Sequence, residues 1–96
     1  MGRRVRIVVC GFGRVGRSFA RLVEAKRALA ERQYGLTLDL VGVGELAGSL
    51  LAPGGLAPDE TAAVFETRGG FGGHSALQAG WQGIDLIRVA AADVLV

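Results

Sequence analysis

The run Gly11-Phe12-Gly13-Arg14-Val15-Gly16 follows directly on a β-branched apolar stretch and opens a segment of helical period. This junction constrains the fold more than any other feature of the chain. Val5-Arg6-Ile7-Val8-Val9-Cys10 ends at a glycine, the pattern of a strand buried on both faces in a parallel sheet. From Arg14 onward Val15, Phe19, Leu22, Val23, Leu29 and Ala30 recur at helical spacing, and Arg17, Arg21, Glu24, Arg27, Glu31 and Arg32 lie mostly off that stripe. The spacing predicts an amphipathic helix from Arg14 to Tyr34, with Gly35 as a left-handed C-terminal cap. Leu36 to Gly44 then reads as a second strand, in which Leu36, Leu38 and Leu40 alternate with Thr37 and Asp39. Strand, crossover helix and strand form a βαβ unit, right-handed by a strong rule. A helix of this length spans roughly 31 Å against roughly 20 Å for the strand beneath it, so its last turns are expected to overhang the sheet.

The six turn residues fit G-x-G-x-x-G, and each glycine has its own task. Gly11 permits the tight exit from the strand, Gly13 lets backbone approach a pyrophosphate, and Gly16 lets the helix lie close to the strand. The helix start adds unpaired N–H groups and partial positive charge, and Arg14 and Arg17 offer further charge. Gly11, Phe12, Gly13, Arg14, Val15 and Gly16 are therefore the candidate dinucleotide-binding residues. No Lys-Ser/Thr pair follows the turn, which argues against a nucleoside-triphosphate loop. The fingerprint also asks for an acid at the end of the second strand to bind a ribose 2′-hydroxyl. Glu45 is the candidate, 29 residues after Gly16 (45 − 16), an excess that the long helix absorbs. Its alternative is a solvated loop acid. As a ribose ligand it repels a 2′-phosphate, so of NAD and NADP it favours NAD.

Gly48 to Gly55 reads as a connection rich in turn formers. Pro58-Asp59-Glu60 opens a short helix toward Arg68, Gly69 to Gly73 is a flexible loop, and 84–91 fits strand or short helix. Asp93-Val94-Leu95-Val96 resembles the start of another buried strand. The predicted class is thus α/β, an incomplete Rossmann-type βαβ unit with a parallel sheet, residues 1–96 forming one dinucleotide-binding domain cut from a longer enzyme.

Composition narrows the rest. The 16 glycines are aperiodic and set among apolar residues, which disfavours collagen and simple disorder. A net charge of +2, with Lys26 the only lysine, gives no nucleic-acid signal. The single cysteine, Cys10, has no partner for an internal disulfide, which fits a reducing compartment such as the cytoplasm. The first apolar stretch is too short for a signal sequence, and no membrane span is expected. Cys10 reads as a small core residue, His74 as a loop histidine without metal-ligand spacing, and Trp81 and Phe71 as packing anchors. Asp59, Glu60 and Glu66 form an ordinary helix face, so no catalytic or metal residue is assigned.

The turn with Arg17 resembles that of glyceraldehyde-3-phosphate dehydrogenases, which usually carry asparagine where Cys10 stands and an Asn-Asp pair where this chain has Gly44-Glu45. Homoserine dehydrogenases are similar over more of the chain. The likeness takes in the turn, the charged helix running into Tyr34-Gly35-Leu36, the acid closing the second strand, the segment Ala47 to Leu56, and the ending Ala92 to Val96. This resemblance implies the NAD(P)-binding portion of an enzyme interconverting aspartate semialdehyde and homoserine, in the route to threonine and methionine. It also implies that the catalytic lysine, the metal loop and the dimer-forming substrate domain lie beyond this chain, which would not turn over alone. Association through that domain or through open strand edges is expected. The alternatives are a glyceraldehyde-phosphate-type coenzyme domain, a non-catalytic dinucleotide-sensing module, and a degenerate fragment.

Overall fold

The computed structural model describes residues 2–45, 48–78 and 91–96. Its elements are β1 (Arg3–Cys10), α1 (Arg14–Tyr34), β2 (Leu36–Gly44), β3 (Ser49–Leu56), α2 (Pro58–Arg68), β4 (Leu77–Gln78) and β5 (Val94–Leu95). They form a mixed α/β fold around a five-stranded sheet of order β4-β3-β2-β1-β5. β1 pairs in parallel with β2 and β5, while β3 is antiparallel to β2 and β4. Four strands therefore point one way and β3 alone is reversed. Trp81 and residues 84–90 of the ambiguous segment lie outside the described residues, and Ala91 lies in a turn.

Alternation along β1 sends Ile7 and Val9 to the face covered by both helices and Val8 to the other. On β2 the alternation slips, because Ile7 pairs with Leu40 and Val8 with Gly42, so Val41 is the extra residue of a bulge. Leu40 and Val43 consequently share the helix face, and Val41 joins Val8 on the opposite one.

Gly48 to Gly55 is not a simple connection: Ser49–Leu56 is strand β3. Its ladder to β2 holds at Leu50, Leu51 and Leu56 and breaks between them. Pro53 and Gly54 occupy the break, where a proline's missing N–H costs the ladder nothing. Gly55 there has φ +102°, a conformation that favours glycine.

The stripe of α1 also differs from expectation. Gly16, Ala20 and Val23 are buried, whereas Val15 is 79% exposed and Leu22 50% exposed. The small residues bring the helix axis close to the sheet, so the larger ones beside them turn outward. No residue of α1 beyond Val23 is fully buried, as the overhang predicts, and Gly35 caps the helix with φ +64°.

Asp39 on β2 ties three elements together. It accepts from Arg4 on β1 and lies 3.4 Å from Arg27 on α1, and Arg4 also donates to the Pro53 carbonyl in β3. With its side chain 13% exposed, Asp39→Ala would leave the Arg4 guanidinium without its carboxylate and Arg27 with Glu24 alone. The expected loss is about 1–3 kcal/mol, read in a thermal melt as a drop of roughly 5–15 °C; an unchanged midpoint would show that the cluster is fully replaced by water.

Candidate functional site

The site begins where β1 ends. Its neighbours are β2, reached through α1, and β5, reached only after the rest of the chain. β1 is therefore the point from which connections diverge, and α/β sheets bind ligands in the crevice beyond the C-terminal ends of such strands. A cleft of about 370 Å³ opens there, lined by Val9, Cys10, Gly11, Gly13, Arg14, Val15, Gly16 and Val96. Its β5 wall is fastened to β1 by Cys10 N–H donating to the Val96 carbonyl (2.8 Å) and Val96 N–H donating to the Val8 carbonyl (2.9 Å).

The three glycines occupy three different environments. Gly11 has φ +86°, so a side chain would be strained there although nothing lies within 4 Å of its Cβ position. At Gly16 a Cβ would lie 2.3 Å from the Gly11 carbonyl oxygen and 3.1 Å from Val9 Cγ1, which is close helix–strand packing in atomic terms. Gly13 is ordinary on both counts, with φ −69° and no protein atom within 4 Å of its Cβ position. Nothing in the fold requires a glycine at that position.

Gly13 is also the N-cap of α1 and supplies no side chain to the helix start. The first-turn N–H groups of any helix lack intrahelical acceptors and carry partial positive charge. Here that end of α1 meets the cleft, with Arg14 beside it. Arg17, expected to add charge, is committed elsewhere: its Nε donates to the Gly13 carbonyl (3.1 Å), it lies 3.4 Å from Glu66, and its guanidinium stacks 5.6 Å from the Phe65 ring centre. Arg21 completes this α1–α2 clamp with a bidentate pair to Glu66 at 2.8 and 2.9 Å. Hydrogen bonding from Arg21 holds the Glu66 carboxyl below its usual pKa, and the same bond raises that of Arg21.

Among the candidate residues, Gly11, Gly13, Arg14, Val15 and Gly16 meet at the one cleft, and Phe12 and Glu45 do not line it. The Phe12 side chain is fully buried and packs on Phe65 and Phe71, with ring centres 5.6 and 5.7 Å away; it offers a ligand no side-chain contact. Glu45 follows the last residue of β2 and accepts the Phe12 N–H at 2.6 Å. It lines a second cleft, of about 240 Å³, with Phe65, Phe71 and Gly69, Gly70 and Gly72 of the loop after α2. Phe71 is the packing anchor it was expected to be.

Cys10 is exposed rather than a core residue. It is the last residue of β1, still paired with Gly44 of β2 and bonded to Val96, and it borders the cleft instead of the interior. His74 sits in a turn region, its Nδ1 accepting the Ala76 N–H at 3.0 Å. No group of three or more potential metal ligands occurs among the described residues, and none of their helices is long and apolar enough to cross a membrane. Val9 and Val96 were not singled out from the sequence. The one signal for them was position, at the C-terminal ends of two strands.

No protein-family model matches the chain, and no curated protein does. Solved structures do, and they are homoserine dehydrogenases, the family the sequence resembles. A hyperthermophilic archaeal homoserine dehydrogenase in complex with NADPH superposes with a TM-score of 0.78 at 21% identity, over 97% of this chain and 28% of that one. A mutant form of a hyperthermophilic archaeal homoserine dehydrogenase with NADPH gives the same TM-score at 22% identity. A candidate homoserine dehydrogenase from Archaeoglobus fulgidus gives 0.72 at 26% identity, over 95% of this chain and 26% of that one. The likeness establishes a Rossmann-like fold, and the chain spans little more than a quarter of the length of these proteins.

Proposed function

We propose that the chain binds a nicotinamide dinucleotide with its pyrophosphate on the glycine turn, as the coenzyme-binding portion of a homoserine-dehydrogenase-like oxidoreductase. The observation that carries this reading is Gly13. Its φ is one that residues with side chains adopt and, its chain neighbours aside, no protein atom lies within 4 Å of its Cβ position, yet it lies in the cleft at the start of α1, where a phosphate must approach the backbone closely. Gly11, Gly13 and the first turn of α1 would supply backbone to the pyrophosphate, and Arg14 charge at its margin.

The bound coenzyme supplies hydride chemistry. The chain's own part is to hold and orient it, with Val15 and Val96 giving the cleft apolar walls. The aspartate semialdehyde–homoserine reaction is proposed for the whole enzyme, the catalytic groups being supplied by parts of it other than these residues. Solved homoserine dehydrogenases of this fold hold NADPH. In this chain the carboxylate of Glu45 stands at the end of β2, where a ribose 2′-hydroxyl is bound in such folds, and its charge favours NAD over a 2′-phosphate.

Calorimetric titration of the 96-residue chain with NADH and NADPH tests both points. Saturable binding of both ligands, NADH the tighter, is the expected result. A folded chain that binds neither ends the dinucleotide reading, and a preference for NADPH ends the proposed role of Glu45 charge.

A further inference from the structure

We infer that Glu45 is a positioning residue for the glycine turn, setting the affinity for both coenzymes through the backbone of Phe12, apart from any contact with a ribose. The inference rests on the reading of the turn as a dinucleotide cradle.

Phe12 lies between Gly11 and Gly13, neither of which has a side chain to fix it. It is instead held from two directions. Its ring is locked against Phe65 and Phe71, and its N–H donates to Glu45 Oε1 at 2.6 Å. Hydrogen bonds to a carboxylate are shorter and roughly twice as strong as neutral ones. The backbone that carries this carboxylate is itself anchored. The Glu45 N–H donates to Ser49 Oγ at 3.3 Å, and Ser49 is fully buried at the start of β3. One residue earlier, the Gly44 carbonyl accepts the Gly11 N–H at 2.7 Å. The end of β2 thus grips two successive N–H groups of the turn, and the reversed strand β3 anchors that grip. A turn fixed in this way meets a pyrophosphate without an ordering cost at binding, and the pyrophosphate is common to NAD and NADP.

The test compares Glu45→Gln, whose amide oxygen still accepts the Phe12 N–H, with Glu45→Ala, which removes the acceptor. Both variants lack the charge, so the comparison is free of its effect on a 2′-phosphate. Amide hydrogen exchange at Phe12 in the full chain without ligand is expected to be at least roughly tenfold faster in the alanine variant than in the glutamine variant. The Kd values for NADH and NADPH are expected to weaken from glutamine to alanine by a common factor of roughly five. A ribose contact alone would move the two coenzymes differently and leave Phe12 exchange unchanged. Equal Phe12 exchange in the two variants, or equal affinity of the two for either coenzyme, overturns the inference. If the wild-type chain binds neither dinucleotide, the proposed function falls, and Phe12 exchange alone then decides whether Glu45 holds the turn.

Discussion

Gly13→Val is expected to leave the chain folded and to weaken dinucleotide binding by about 100-fold or more, the equivalent of roughly 2.7 kcal/mol. No protein atom lies within 4 Å of the new Cβ, and the Gly13 φ of −69° suits valine. The cost to the fold is limited to a poorer helix N-cap, less than about 1 kcal/mol. A pyrophosphate on the turn would have to share the space with three added carbons, and overpacking of this kind costs about 1–3 kcal/mol or more. Thermal melts and titrations run side by side separate the two effects. Retained affinity would remove the turn as the phosphate cradle, and a large loss of stability would show that the space at Gly13 is not open.

Gly16→Ala has the opposite profile. On an exposed helical surface, replacing glycine by alanine stabilises by about 1 kcal/mol. Here the methyl group would lie 2.3 Å from the Gly11 carbonyl oxygen and 3.1 Å from Val9 Cγ1. The first of these is backbone held by the turn, so α1 itself must move off β1. The expected loss is about 3 kcal/mol or more, a fall in melting midpoint of roughly 10–20 °C. Since a domain of this size has little stability in reserve, partial unfolding at 37 °C is expected. An unchanged or higher midpoint would place α1 farther from the strand than the structure does. Two glycines three positions apart in one motif thus serve different masters, Gly16 the fold and Gly13 the ligand.

Much of this architecture was legible because each signal was local. Helix α1 runs from Arg14 to Tyr34 and β2 from Leu36 to Gly44 as their periods predict, and α2 runs from Pro58 to Arg68 as its proline and acids predict. What escaped depended on neighbours distant in sequence. β3 contains Pro53-Gly54-Gly55 and reads as loop, and only the interrupted ladder to β2 lets it be a strand. The buried stripe of α1 was misplaced because hydropathy counts large side chains, while Gly16 and Ala20 are buried for being small. Cys10 continues an apolar run and yet is exposed, because at the end of β1 it borders the cleft rather than the core. The site divides in the same way. The turn and Glu45 were visible as a pattern, but the separation of Phe12 into a core ring and a bonded N–H was not. Nor was the commitment of Arg17 to Glu66 and Phe65, which follows from how α2 packs on α1.

The pairing of β1 with β5 orders assembly in time. Arg6 and Asp93, bonded to each other through backbone and carboxylate, are 87 positions apart, whereas β2 and β3 are joined by only a few residues. Long loops must be closed before their contacts repay the entropy, so near pairings form ahead of distant ones. The strand, helix and hairpin that carry the glycine turn are therefore expected to assemble before the wall containing Val96 closes on β1. A cleft bounded by both pairings of β1 is whole only when the distant one has formed, and its capacity to hold a ligand reports on that closure.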